Sequence, residues 1–582
     1  MTATVAPSMV REELDRILAS AAFGRTERLK RFLRFVVEET LAGHQDEIKE
    51  STIALAVCGR DAGFDAKIDP IVRVDATRLR ARLQEYYGGE GRSAPLRLEL
   101  PKGSYVPRFS PRAAPADLRR TPSIVVLPFV TIGGGREYDP FSDGLTDELI
   151  NQLSRVGGLR VIARTSAFHY RGRSGDLRRI AADLSVTHVV EGSVRAAGAH
   201  IRVTAQLTDV ESCTIRWSAK YERDLIDVLQ VQDEMCASVV RELELELVNR
   251  SAATARAIDP RAHIECLKGR HFWNRRTADS LSQSLVHYTR ALEADADCAA
   301  AYAGMADTLI VQAMDDQVPA GDALARAKAH ANHALEIDPD LPEALVSLAA
   351  IASVHEWNWA TADALFRRAI ALNPATPSGH YLHAVVNLAP RALWEEALVS
   401  MDRALALDPV SPVLHRDLGI VHYLRAEYGD AEEALRAARH LDPGFHGSWF
   451  WLGRVLAERG RLDEALDALT ARLAAPAPNA RVVAAVIDTL VRMGRRAAAD
   501  ARWADLQQRA QRESLPPLSV ALAHLGRGDR VEAIDLLEQA CRDRAPALYQ
   551  AAVDPVFRPL RSDPRFKAML QTMGLDRVVP AS

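Results

Sequence analysis

The chain reads as a multidomain protein of three modules: a small helical module closed by a hairpin, an α/β module, and an all-α solenoid of helical hairpins. Three observations predict this. The C-terminal half repeats with a period of 34–35 residues, short alternating runs replace helical patterns beyond residue 120, and three amphipathic helical patterns precede an alternating hairpin at the N-terminus. At 582 residues the chain exceeds what one hydrophobic core organises, and 48% hydrophobic with 26% charged residues is an ordinary globular composition. The reading places modules at 1–110, 121–250 and 260–575, with a polar, Pro/Ala-rich linker at 111–120.

The repeat is anchored by a small residue followed four positions later by Asp-Pro or Asn-Pro. Four copies align: Ala334 with Asp338-Pro339, Ala369 with Asn373-Pro374, Ala404 with Asp408-Pro409, and Ala438 with Asp442-Pro443. In one unit Gly419, Ala431, Ala438 and Pro443 take the small, small, small and closing positions, and Gly453 and Ala465 do so in the next. This pattern resembles the tetratricopeptide repeat, which implies paired antiparallel helices and a groove for a protein or peptide ligand. Small residues let paired helices approach, and Leu435 and Leu469 are expected to fill the holes between them. A degenerate copy, Tyr288 to Asp295, precedes the regular ones, Ala533 anchors a late one, and 554–566 closes the array.

In the N-terminal module Leu29, Phe32, Leu33, Val36 and Val37 lie at helical spacing, and a second helix spans about Glu50 to Val57. The third, with Pro70 at its start, buries Val72, Ala76, Leu79, Leu83 and Tyr86, which leaves Arg73, Thr77, Arg80 and Gln84 as one polar stripe. A hairpin from Leu96 to Phe109 follows. Thr77-Arg78-Leu79-Arg80 with Leu83, and Lys102-Gly103-Ser104-Tyr105, resemble the last helix and wing of OmpR/PhoB-type winged-helix output domains. That resemblance implies duplex DNA as a partner, with Arg73, Thr77, Arg78, Arg80, Arg82, Gln84, Lys102 and Tyr105 as contact residues. Residues 71–112 hold nine Lys and Arg against four Asp and Glu, the sign that phosphate binding requires. Asp75, within the same helix, would repel phosphate. The other reading of the arginines is an ion-paired solvated helix, with Arg78 and Arg82 held by Glu85 or Asp75.

Between the two, Ser123–Val130, Leu159–Ala163, His188–Arg195, His200–Thr208 and Thr214–Tyr221 read as strands. Asp143–Val156, capped by Asp143, Leu177–Leu184 and Gln232–Val248 read as helices. Ser123-Ile-Val-Val-Leu-Pro-Phe129, Phe141-Ser-Asp-Gly-Leu-Thr-Asp-Glu-Leu149 and Val190-Glu-Gly-Ser-Val-Arg195 resemble a bacterial domain related to the N-terminal part of TolB and to FlgO. The resemblance implies a ligand- or protein-binding role without a reaction. The fold class is thus a winged helix, an α/β domain and a tetratricopeptide solenoid.

In similar bacterial architectures this pair of modules follows a class III adenylate cyclase domain. Residues 1–112 are shorter than such a domain and lack its strand-borne Asp metal ligands. Ile132-Gly-Gly-Gly135 lacks the Lys-Ser/Thr of a phosphate-binding loop. Asp139, Asp143, Asp147 and Glu148 read as helix-start acids and not as a metal site. His380 and His383 share a helix face without a third ligand. Trp357, Trp359, Trp394, Trp449 and Trp451 are expected to pack between repeats. No catalytic residue, metal or cofactor is expected.

The six cysteines are scattered without a CxxC pair, and no apolar run has the length of a signal or a membrane span, so a cytoplasmic location is expected. These features predict a non-enzymatic bacterial regulator that binds DNA through the winged helix and protein through the repeats. The alternative is a scaffold whose basic N-terminal module docks a protein. A signalling protein related to the adenylate cyclases but without their catalytic domain is a third reading.

Overall fold

The computed structural model describes residues 7–24, 26–60, 64, 69–88, 96–101, 104–111, 122–133, 139–172, 176–197, 200–224, 228–243, 259–445, 447–471 and 479–578. The linker expected at 111–120 falls almost wholly outside them. Two compact units are present, Met1–Thr121 and Pro122–Ser582.

The first unit holds α1 (Pro7–Ala19), α2 (Glu27–Leu41), α3 (Glu50–Cys58) and α4 (Ile71–Gly88), then the antiparallel hairpin β1 (Leu96–Glu99) and β2 (Arg108–Pro111). The sequence reading missed α1, whose Val10, Leu14, Ile17 and Leu18 enter the same core as the α2 residues Leu29, Phe32, Leu33, Val36 and Val37. Asp69 caps α4 by accepting from the Ile71 N–H at 3.0 Å, ahead of Pro70. Val72, Ala76, Leu79, Leu83 and Tyr86 are all buried, as the spacing predicts.

In the second unit a six-stranded sheet is built from β3 (Ser123–Val126), β4 (Val130–Thr131), β5 (Arg160–Val161), β6 (His188–Ala197), β7 (His200–Asp209) and β8 (Thr214–Asp224). Its order is β5-β3-β6-β7-β8, with β4 also on β6. The first three pairings are parallel, and β6-β7-β8 form an antiparallel meander. Helices α5 (Asp139–Ser154), α6 (Arg164–His169), α7 (Leu177–Leu184) and α8 (Val228–Glu242) share its core. Helix α5 begins four residues earlier than expected, so Asp143 is an interior helical residue and not the cap.

Antiparallel helical hairpins follow: α9 (Pro260–Trp273) with α10 (Ala278–Ala294), α11 (Ala299–Met314) with α12 (Ala320–Ile337), and α13 (Pro342–Ile351) with α14 (Trp359–Leu372). Then come α15 (Pro377–Leu382) with α16 (Trp394–Leu407), α17 (Pro412–Leu424) with α18 (Tyr428–Leu441), and α19 (Gly447–Glu458) with α20 (Leu462–Thr470). Last are α21 (Ala480–Arg492) with α22 (Arg496–Ala510) and α23 (Pro517–Arg527) with α24 (Arg530–Arg542). Two 3₁₀ segments, Pro546–Gln550 and Pro555–Leu560, and helix α25 (Pro564–Thr572) close the chain.

The fold of this region is that of tetratricopeptide repeats, and the repeat signature has a direct physical cause. Ala334, Ala369, Ala404 and Ala438 are buried, and each carbonyl accepts the last helical bond from Asp338, Asn373, Asp408 or Asp442. A Cβ on Gly419 would lie 2.6 Å from Leu435 Cγ, and one on Gly453 2.5 Å from Leu469 Cγ, so only glycine admits the expected knobs. Ala431 and Ala465 are fully buried beside them, and Pro443 sits in the exposed turn.

Candidate functional site

Helix α4 turns one face away from its core, on which Arg73, Val74, Thr77, Arg78 and Ala81 are exposed. The predicted stripe is only partly right. Arg80 lies at its edge and folds under the hairpin: its Nε donates to the Leu100 carbonyl at 2.9 Å, and its Nη2 to Pro101 and Ser104 carbonyls at 2.9 and 3.1 Å. Arg80 therefore fixes the hairpin to α4 and is not displayed to a partner.

Arg73 is exposed but bonded to Glu50 at 3.2 Å, and the Tyr105 hydroxyl donates to that same carboxylate at 2.8 Å. Burial and the adjoining Glu50 push the Tyr105 phenol up to about 12. Asp75, expected to repel phosphate, is instead fully buried and neutralised by Arg28, whose Nε lies 2.6 Å from its Oδ2. Arg78 is 65% exposed, with Asp75 no nearer than 4.0 Å. Asp75 is thus taken chiefly by Arg28 and not by the Arg78 or Arg82 of the ion-paired reading, a partner that periodicity within one helix could not reveal. Arg82 is half-buried. The side chains of Gln84 and Glu85, and Lys102 altogether, lie outside the described residues.

In the second unit the closing segment of the chain packs back against the repeats. Asp554 accepts from Arg454 Nη1 at 3.0 Å and Nη2 at 2.6 Å, and both side chains are nearly buried. The Arg454 guanidinium also stands 4.9 Å from the Tyr423 ring centroid and 5.1 Å from that of Trp451. Trp359 Nε1 donates to the Met573 carbonyl at 2.7 Å, while Leu548, Phe557, Leu560 and Phe566 are buried. The tryptophans thus pack, as expected, but Trp357 and Trp359 do so against the closing segment. A cavity of about 250 Å³ remains between α19, α21, α23 and Pro555–Pro559, lined by Phe450, Ala485, Leu522 and Val556 with Arg481, Asp488 and Arg492 at its polar parts.

At the other end the sheet module sits on the repeat turns. The side chain that caps its own turn in Asp338, Asn373 and Asp442 is diverted in Asp408, which accepts from the Ser166 N–H at 2.8 Å and hydroxyl at 2.6 Å. Ala163 N–H donates to the Leu407 carbonyl at 2.8 Å, and Asn373 Nδ2 to the Ser154 hydroxyl at 3.1 Å. A Cβ on Gly144 would lie 2.4 Å from Leu267 Cβ, so α5 and α9 meet with no room for a side chain there.

The acids of α5 belong to this junction, which corrects their reading as helix-start charges: only Asp139 lies in the first turn. Asp143 pairs with Arg171 and with His271 Nδ1, the latter at 3.0 Å. Burial pushes its carboxyl up, but those hydrogen bonds outweigh it and hold it below the usual range. Asp147 lies 3.7 Å from Arg164 and 4.0 Å from Arg270. Burial pushes Glu148 up to about 7, against the attraction of Arg155 and Arg270.

His383 Nε2 bonds Asp363 at 2.8 Å and His380 Nε2 the Pro374 carbonyl at 3.0 Å, so the pair serves packing and not one site. Among the described residues His422, Glu427 and Asp430 place possible ligand atoms within 4.8 Å of one another. Arg425 already neutralises Glu427 at 3.2 Å, which makes this a surface ion-pair network. No helix of the described residues is long and apolar enough to cross a membrane.

No family model matches the chain. A curated protein of Rhizobium meliloti (strain 1021), named "Putative adenylate cyclase 3", is 34% identical over 241 residues, 40% of this chain. The chain thus spans 41% of the length of that relative. Solved structures similar to parts of it include a tetratricopeptide repeat protein of Parabacteroides merdae (13% identical, 46% of this chain and 98% of that one, TM-score 0.32). PilF of Pseudomonas aeruginosa is 20% identical over 36% of this chain and 90% of its own, with a TM-score of 0.29. Human IFIT1, solved as a dimer with m7Gppp-AAAA, is 15% identical over 54% of this chain and 77% of its own, with a TM-score of 0.38.

Proposed function

We propose that the chain is a non-enzymatic regulator whose first unit is a winged helix that binds duplex DNA, and whose repeats bind a polypeptide. The carrying observation is the α4 face: Arg73, Thr77 and Arg78 stand out from a helix whose opposite side is wholly buried, beside a hairpin that Arg80 fixes in place. Such a helix fits the major groove, with guanidinium groups reaching phosphates and base edges. The polypeptide meets the cavity near Phe450 and Leu522, which has room for one apolar side chain.

Fluorescence anisotropy of the full chain with labelled duplex DNA, across a salt series, tests the first part. Arg78→Ala is expected to weaken binding about tenfold and to lower the salt slope by about 1. Binding that ignores both Arg78→Ala and salt would remove α4 as the reading element and favour the protein-docking scaffold. The cyclase name belongs to a relative of which this chain spans 41%. Incubation with ATP and Mg²⁺ is expected to yield no cyclic AMP above buffer, and accumulation would overturn the non-enzymatic reading.

A further inference from the structure

Where the sheet module meets the first hairpin, α5, α6 and the end of α9 line an open polar cavity of about 290 Å³. Its cationic groups are unequally employed. Arg171 and His271 are both spent on Asp143. Arg164 is not: its guanidinium lies 3.9 Å from the Phe168 ring centroid, its nearest carboxylate is Asp147 at 3.7 Å, and no hydrogen bond joins the two. Arg275 is exposed at the rim, 5.6 Å from the Phe272 ring centroid, and has no ion pair among the described residues. Asn274 contributes a buried Nδ2 without a hydrogen-bond partner.

Unspent donors of this kind have one chemical complement. A guanidinium carries five N–H donors and no acceptor, and a buried amide N–H left unpaired costs about 1–3 kcal/mol. Among the lining side chains three guanidinium groups face two carboxylates, Asp139 and Asp143, which leaves one positive charge, while Asp147 behind them is shared between Arg164 and Arg270. The volume is several times the roughly 30 Å³ that a water takes in the liquid.

We propose that this cavity binds a small dianion, a phosphate or a dicarboxylate, held by Arg164, Arg275 and Asn274. The residues come from both the sheet module and the first hairpin, so the bound anion ties one to the other. This site is independent of DNA binding by the first unit, and either can fail without the other.

Isothermal titration calorimetry of the full chain, at constant ionic strength in chloride, separates the two sources. Inorganic phosphate and succinate are titrated separately. Saturable binding of at least one is expected, weakened about tenfold or more by Arg275→Gln, and likewise by Asn274→Asp, which sets a negative charge at the anion's place. Phosphate alone binding assigns a phosphoryl ligand, and succinate alone a dicarboxylate. Arg275 is at the surface, so its variant folds even where Arg164→Gln does not, and a melting curve checks each protein. Absence of saturable binding by both probes up to about 10 mM, or equal binding by the Arg275→Gln and Asn274→Asp chains, would overturn the proposal.

Discussion

Helix α4 and the first helices of the repeats both carry arginines turned away from their own apolar side, and the two sets meet opposite fates. On α4, Arg73 and Arg78 reach solvent, and Arg80 is folded under the hairpin. On the repeats, Arg454 is sealed beneath Asp554, and Arg416 is half-buried against Asp417 at 2.7 Å. The difference lies in what the chain does later. A four-residue strand pair follows α4, whereas a closing segment packs against the repeat helices and a preceding module sits on their turns. A helix pattern tells which residues leave their own core, and the rest of the chain decides whether they reach water.

The largest expected effect comes from breaking the Arg454–Asp554 pair. Arg454→Leu leaves a carboxylate that is 6% exposed with, among the described residues, the Val556 N–H and the Tyr423 hydroxyl as its remaining donors. Losing one partner of a buried ion pair costs about 3–5 kcal/mol. Urea unfolding of the full chain is expected to show an earlier transition, with proteolytic cleavage appearing near residue 550. If Arg454→Leu unfolds at the wild-type midpoint, the closing segment is not held by this pair, and the repeat helices are as free as the α4 face.

How much of this could be read from the sequence depended on range. Ala438, Gly419 and Leu435 were legible because a helix pair repeats its own contacts every 34 or 35 residues. The burial of Val72, Ala76 and Leu79 was legible from one helix alone. The fates of Asp75 and Asp143 were not, since their partners lie 47 residues away at Arg28 and 128 away at His271. Helix α1 was open to the same reading, since Val10, Leu14, Ile17 and Leu18 stand at i, i+4, i+7 and i+8. Asp408 is instructive: its sequence is that of any repeat turn, yet its carboxylate serves Ser166, 242 residues distant.

A smaller effect should appear in the pH dependence of the junction. Glu148 has a folded value of about 7 against an ordinary 4.5, and burial likewise pushes Asp307 up to about 6. A carboxyl raised on folding holds a proton that the unfolded chain has released. Its contribution is therefore complete below about 4.5 and lost as pH rises through about 7. Thermal melting is expected to fall from pH 5 to 8, and Glu148→Gln to flatten that decline by about 1–3 kcal/mol. A decline left unchanged in Glu148→Gln would place the titrating group elsewhere.

The smallest effect separates anchoring from display within α4 itself. Arg80→Ala removes three bonds from carbonyls of the hairpin, and at about 0.5–1.5 kcal/mol for a typical hydrogen bond, with some carbonyls regaining water, a net loss of about 1–2 kcal/mol is expected. Arg78→Ala, at a surface position, should change stability by less than about 0.5 kcal/mol. Calorimetric melting of both variants checks this, and hydrogen exchange at Leu98 locates the loss, since its amide is held by the Tyr87 hydroxyl at 2.8 Å inside the hairpin. Faster exchange there in Arg80→Ala but not in Arg78→Ala means that the two neighbouring arginines divide their labour, one holding the hairpin and one left for a partner. Equal exchange would mean that the hairpin stands without Arg80, and that this arginine is as available for binding as the polar stripe first suggested.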